Sequence, residues 1–299
     1  EHIDFILAVG GGSVIDCCKI VAAQARTDKD LWEMEMTEHK FPTDVLPMGA
    51  IVTASGTGAE MNGGAVITNE EKVVKAGMAA AAPRFAILDP ACTMSVPRMQ
   101  VISGAFDTLS HAMETYFGSS DEDNVSDDVA LAVMRNTVVN MKRLMGNIDD
   151  IQARGNLLWD STLSENRLIK LGKKCDFSCH LMEHQLGAYT DCGHGQGMAV
   201  LHPAYYRHIF RDGLDKFGRF AANVWMIPRE KKSREELAAA GLDALEAFIR
   251  ELGLPTSLRQ LGVRDKKQLP VIAGSCHFSP GGYRKMMPEE ILEILQECF

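Results

Sequence analysis

Asp107 and His111 stand four apart in GAFDTLSHAMETY, and His180, His184 and His194 follow in CHLMEHQLGAYTDCGHG. Residues four apart on a helix lie one above the other on one face, so each segment can aim two side chains at a common point. One carboxylate and up to three imidazole nitrogens suit a divalent first-row ion such as Fe(II) or Zn(II), with no sulfur needed. Either pair alone is common by chance, and a lone His is usually structural; two such segments in one chain, the second closing on a glycine-flanked His194, point to a metal centre. Five candidates compete for about four protein positions, and spacing leaves open which of them drops out. Cys175, Cys179 and Cys192 interleave with the histidines and offer a thiolate alternative, against which stands the ordinary burial of free cysteine.

A second chemistry is written in the glycines. Asp4 to Val9 (DFILAV) is a short apolar run that ends in Gly10-Gly11-Gly12-Ser13, after which VIDCCKIVAAQA has helical periodicity. Strand, glycine turn and helix bring bare N–H groups and the positive end of a helix dipole against a phosphate. The signal is weak on its own, because GGGS is not GxGxxG. A second apolar run, Leu46 to Thr53, enters Ala54-Ser55-Gly56-Thr57-Gly58, with hydroxyls and glycines of the kind that line a nucleotide cleft. The run Gly64 to Thr68 breaks at Asn69 and resumes in KVVKAGM as a hairpin, and Phe85 to Leu88 supplies a last strand closed by Asp89-Pro90.

Beyond about Pro97 the texture is helical, with apolar residues at three- and four-residue spacing near 98–117, 126–145, 150–170, 173–189, 195–210, 233–252 and 287–297. Ser126 and Ser233 are read as N-caps. The expected architecture is an α/β dinucleotide-binding domain over residues 1–95 and an all-α metal-binding domain over 96–299, packed around a shared cleft. The length of 299 residues and the apolar fraction of 46% fit a chain with a real core. A net charge of −9 argues against nucleic acid or an anionic membrane as partner. No run reaches the roughly twenty apolar residues of a membrane span. Eight cysteines without a paired framework suit free thiols in a reducing compartment, and the expected location is the cytoplasm.

Taken together, AVGGGSVIDCCK, TASGTGAEMNGGAVI, KAGM, PRFAILDP, GAFDTLSHAMETY and HLMEHQLGAYTDCGHGQGMAVLHPA resemble the iron-containing alcohol dehydrogenase family, and within it the butanol dehydrogenase-like and NADPH-dependent aldehyde reductase branch. The matching stretches run in family order over nearly the whole chain. The resemblance implies a dehydroquinate synthase-like architecture, a bound Fe(II) or Zn(II), NAD or NADP, a small alcohol or aldehyde substrate, and a homodimer in the full-length form. It implies that Asp107, His111, His180 and His194 hold the metal and that His184 is a non-ligand proton-relay group. It further implies that Gly11, Gly12 and Ser13 hold the pyrophosphate, that Asp16 lies near it, and that Thr53, Ser55, Thr57 and Lys75 line the nicotinamide half. From spacing alone Lys75 would be an exposed strand lysine.

Two departures accompany the resemblance. Family members carry a further βα region before the strand that leads to GGGS, so the α/β domain is expected to be incomplete and the choice between NAD and NADP is not legible. The segment CDFSCH, before the second ligand helix, departs from relatives of this branch, which often carry Trp there. Two other readings compete with an alcohol dehydrogenase: a dehydroquinate synthase-like lyase that also uses metal and NAD, and an inactive truncated fragment that binds metal alone.

Overall fold

The computed structural model describes residues 2–119 and 124–299. Its first part is α/β: strand β1 (Ile6–Gly10), helix α1 (Gly12–Gln24), the short helix α2 (Leu31–Met36), and strands β2 (Met48–Val52), β3 (Gly64–Asn69), β4 (Val74–Ala79) and β5 (Ala86–Ile87). β1, β2 and β5 form a parallel sheet with β2 in the middle. β3 and β4 make a separate antiparallel hairpin with Thr68 opposite Lys75. Both glycine-bearing turns therefore leave the C-terminal ends of adjacent parallel strands, where open α/β sheets place their ligands. One sheet face packs Ala8, Ala50 and Val52 on Ile15 of α1 and Leu158. The other carries Phe5, Leu7, Val9, Phe85 and Ile87, all exposed.

The rest is helical: α3 (Arg98–Tyr116), α4 (Val125–Gly146), α5 (Ile151–Glu165), α6 (Ser178–Thr190), α7 (His194–Ile209), α8 (Leu214–Asn223), α9 (Arg234–Leu252), α10 (Leu269–Ser275) and α11 (Pro288–Glu297). α3 is its axis, with Val101, Ile102, Ala105, Phe106, Leu109 and Met113 buried in one core shared with α4 to α11. Periodicity located seven of these helices. It passed over α8 and over the short α2 and α10, the last two of which offer too few turns for a repeat to register. None of the helices among the described residues is long and apolar enough to cross a membrane.

Three boundaries differ from expectation. Ser233 does cap α9, in a reciprocal box with Glu236. Ser126, however, is not the cap of α4: Asn124 is, its side chain accepting from the Asp127 N–H, while the Ser126 hydroxyl donates to the Leu171 carbonyl. The segment 173–177 is not helical, because the Asp176 N–H is drawn across to the Glu114 carbonyl on α3 and the Asp176 side chain accepts from the Ser178 N–H. α5 stops at Glu165, short of 170, and is followed by a separate turn over Leu168–Lys170.

Between α4 and α5, Asp160 is buried with no cation paired to it among the described residues. Burial lifts its carboxyl to about 6 from an ordinary 3.8, only partly offset by hydrogen bonds from Asn136 and Thr137. The folded state thus binds this proton more tightly than the unfolded chain. The stability associated with it is present at low pH and is lost as pH rises from about 4 to about 6, a cost on the order of 2–3 kcal/mol at neutrality. Asp160→Asn is expected to raise the thermal midpoint at pH 7.5, with the gain shrinking towards zero by pH 4. Paired melting curves across that range check this, and a gain that does not vary with pH would show that the titration is not its source.

Candidate active site

α3 carries Asp107 and His111 on one face, and the Nδ1 atom of His111 lies 3.6 Å from Asp107 Oδ1. α6 brings His180 to the same oxygen, Nε2 at 3.6 Å, and His194, the first residue of α7, brings its Nε2 to 3.3 Å. The ring of His111 packs on His180 with centroids 4.4 Å apart. Asp107, His180 and His194 each offer a ligand atom within 4.8 Å of the others. His184 stands one turn beyond His180, its ring 6.3 Å from that of His180 and 5.7 Å from that of His194. The cysteines do not join this cluster.

The donor set fits a divalent cation. Asp107 Oδ1, His111 Nδ1 and His180 Nε2 are buried without a hydrogen-bond partner among the described residues. Leaving one such atom unsatisfied costs about 1–3 kcal/mol, so three converging on one point mark a place where a cation completes the arrangement. The electrostatics agree. Burial alone would raise the Asp107 carboxyl, but the imidazoles of His111, His194 and His180 outweigh it and hold the group well below the usual carboxylate range. Burial pushes His111 down to about 4 and His184 well below its ordinary value, helped by His194 and Lys75, so both rings are neutral at pH 7. His180 runs the other way: burial opposes its charge, yet the Glu114 and Asp107 carboxylates lift it to about 10. The centre therefore favours positive charge.

Two further carboxylates set the rings. Glu114 of α3 pairs with His180 Nδ1 and also accepts the N–H groups of Cys179 and His180, at 2.7 and 3.2 Å, so that it caps α6 from a neighbouring helix. Glu183 of α6 pairs with His194 Nδ1. Each leaves the opposite ring nitrogen facing Asp107, the arrangement in which an outer carboxylate fixes the tautomer of a metal-binding histidine. Neither glutamate was singled out from sequence. Their signal is a Glu three residues after the first His of each segment, HAME and HLME, although each serves a histidine of another helix.

The cofactor-side candidates, with one exception, lie at the first glycine turn and the start of α1, in the loop after β2, and on β4 beside this centre. The Thr53 N–H donates to the Gly10 carbonyl at 3.0 Å, which places the second turn beside the first. α1 begins at Gly12 with Gly11 as its N-cap and no capping side chain, so its first amides remain free for an anion. A Cβ at Gly12 would come within 2.3 Å of the Thr57 hydroxyl, so only glycine admits that side chain there. Ser55 runs along α3 at Gly104, and Gly56 reaches Asp107, whose Oδ2 would lie 3.4 Å from a Cβ at 56. The Ser161 hydroxyl holds the loop by accepting the N–H groups of Gly56 and Gly58. Lys75 is not a free strand lysine: its Nζ lies 3.2 Å from Glu183 and 3.4 Å from His194 Nδ1. Asp16 is the exception. Its oxygens are engaged by the Val66 N–H and by Lys19, which ties α1 to the hairpin.

Known proteins place this geometry. Residues 1–90 match the family model for iron-containing alcohol dehydrogenase, and residues 101–299 match the C-terminal model of the Fe-containing alcohol dehydrogenase family. NADH-dependent butanol dehydrogenase A of Clostridium acetobutylicum is 38% identical over 306 residues, covering 100% of this chain and 78% of that protein. NADPH-dependent aldehyde reductase YqhD of Escherichia coli is 30% identical, covering 91% of this chain and 70% of the reductase. The crystal structure of NADH-dependent butanol dehydrogenase A from Thermotoga maritima superposes with a TM-score of 0.92 at 32% identity, over 99% of this chain and 76% of that one. These relatives are dehydrogenases and reductases, which leaves the lyase reading without support. With family matches over both parts and similarity to such enzymes along the whole of this chain, the chain belongs to the iron-containing alcohol dehydrogenase family.

Proposed function

We propose that this alcohol dehydrogenase interconverts small alcohols and aldehydes at a divalent metal, Fe(II) or Zn(II), held by Asp107, His111, His180 and His194, with NAD or NADP bound along the glycine turns. The observation that carries the reading is the convergence of three unsatisfied buried atoms, Asp107 Oδ1, His111 Nδ1 and His180 Nε2, beside a loop whose Gly56 touches Asp107. Bound metal and nicotinamide would supply Lewis-acid activation of the alcohol or carbonyl oxygen and hydride exchange with its carbon.

The chain's own part is positioning and proton handling. Gly11, Gly12 and Ser13 present the amides of α1 to the pyrophosphate, and Thr53, Ser55, Thr57 and Lys75 line the nicotinamide half. Asp16 acts indirectly, by fixing α1 against β3. His184, partly buried and neutral beside His180 and His194, accepts and returns the hydroxyl proton. The division of labour, residues 1–95 for cofactor and 96–299 for metal, is supported by a continuous helical core that starts at Val101. Residence in the reducing cytoplasm is supported by eight free thiols.

NADH or NADPH oxidation with butanal as substrate tests the activity directly; no turnover with either nucleotide in metal-replete protein sinks the reading in favour of a fragment that only binds metal. His184→Ala separates ligand from relay. It is expected to keep its metal while kcat falls about 10²–10⁴-fold and the pH profile changes shape. Loss of metal instead would make His184 a ligand.

A further inference from the structure

We propose that Glu183 is the positioning residue that ties the metal centre to the cofactor-side hairpin, holding His194 of α7 and Lys75 of β4 on one carboxylate oxygen. The inference rests on the metal reading above and adds a link between its two halves. Glu183 Oε2 receives Lys75 Nζ at 3.2 Å and pairs with His194 Nδ1, and the same Nζ lies 3.4 Å from that nitrogen. A carboxylate only accepts, so against Glu183 His194 carries its proton on Nδ1, with Lys75 donating to the carboxylate and not to the ring, and turns the Nε2 lone pair towards Asp107, 3.3 Å away. The other oxygen, Oε1, has Cys192 Sγ at 3.9 Å.

The space is built for this side chain. A Cβ at Gly197 would lie 2.7 Å from Glu183 Cγ, and one at Gly187 would lie 3.2 Å from Oε1. Glycines on α6 and α7 thus leave the room that the carboxylate fills, and Glu183 itself has no exposed surface. Lys75 belongs to the hairpin that Asp16 and Lys19 fasten to α1 through Val66 and Gly64. A change in how His194 is held therefore reaches the segment that carries the glycine turn, and metal and nucleotide affinities are linked reciprocally.

Co(II) and Zn(II) affinities of metal-free protein, measured by chelator competition with the visible Co(II) bands as a signature, test this. Glu183→Gln keeps shape and an acceptor but loses charge, and is expected to bind 10–100-fold more weakly with altered Co(II) bands and an unchanged far-UV spectrum. Gly197→Ala, which keeps the charge but displaces the side chain, should weaken binding in the same direction, and it carries the test alone if Glu183→Gln does not fold. Lys75→Met should alter Co(II) affinity at least about threefold more with Glu183 present than in the Glu183→Gln background. Wild-type affinity in both Glu183→Gln and Gly197→Ala overturns the proposal, as does an identical Lys75→Met effect in the two backgrounds. Asp107→Asn identifies the other failure: if it too binds Co(II) as the wild type does, the metal reading itself is wrong.

Discussion

Asp107→Asn is expected to leave a folded protein with almost no metal and almost no turnover. The side chain keeps its volume, and its neighbours Phe106 and Leu109 are fully buried in the helical core, so α3 should stay in place. What disappears is the one negative charge within 3.3–3.6 Å of three imidazole nitrogens. Without it, neutral rings and an amide must hold a divalent ion by themselves, in a buried setting where charge is costly to leave unpaired. Metal should fall from about one per chain to background after dialysis against a mild chelator. Since Lewis-acid activation is worth several kcal/mol, kcat/KM should drop by roughly a thousandfold or more. Elemental analysis and steady-state kinetics decide the matter, and a full complement of metal in the variant would remove Asp107 from the site.

Gly104→Ala should separate cofactor binding from metal binding. An alanine in mid-helix ordinarily gains about 1 kcal/mol over glycine. Here the new methyl would sit 2.2 Å from the Ser55 carbonyl oxygen, a backbone atom that cannot rotate away. The loop must retreat by about 1 Å, and overpacking of this kind costs about 1–3 kcal/mol, enough to cancel or reverse the helix gain. The functional effect is larger than the loss of stability. Ser55, Gly56 and Thr57 move together, Thr57 leaves its seat over Gly12, and a displacement near 1 Å in a positioning element can cost about 100-fold in rate. NADH or NADPH affinity, read from fluorescence, is expected to weaken at least about tenfold while metal content is retained. Wild-type nucleotide affinity with an unchanged melting temperature would show that the loop absorbs the methyl.

Whatever rests on local spacing was legible in the sequence. Asp107 with His111, and His180 with His184, share helix faces because 3.6 residues per turn dictates it, and strand, glycine turn and helix follow from apolar runs broken by residues without side chains. The five metal-side candidates lie on three helices, α3, α6 and α7, and the packing of those helices brings them together. The tertiary structure alone decided the partnerships between segments. Glu114 follows His111 but serves His180, and Glu183 follows His180 but serves His194; such crossings depend on how α3, α6 and α7 pack, which no local period encodes. The same holds for Asp16, drawn to Val66 on a neighbouring strand, and for Lys75, whose ammonium finds a carboxylate on α6. Likewise α6 begins at Ser178 because the Glu114 carbonyl on α3 takes the Asp176 N–H. A side chain's neighbours along the chain are set by the backbone repeat, whereas its neighbours across a packed interface exist only once the core has closed.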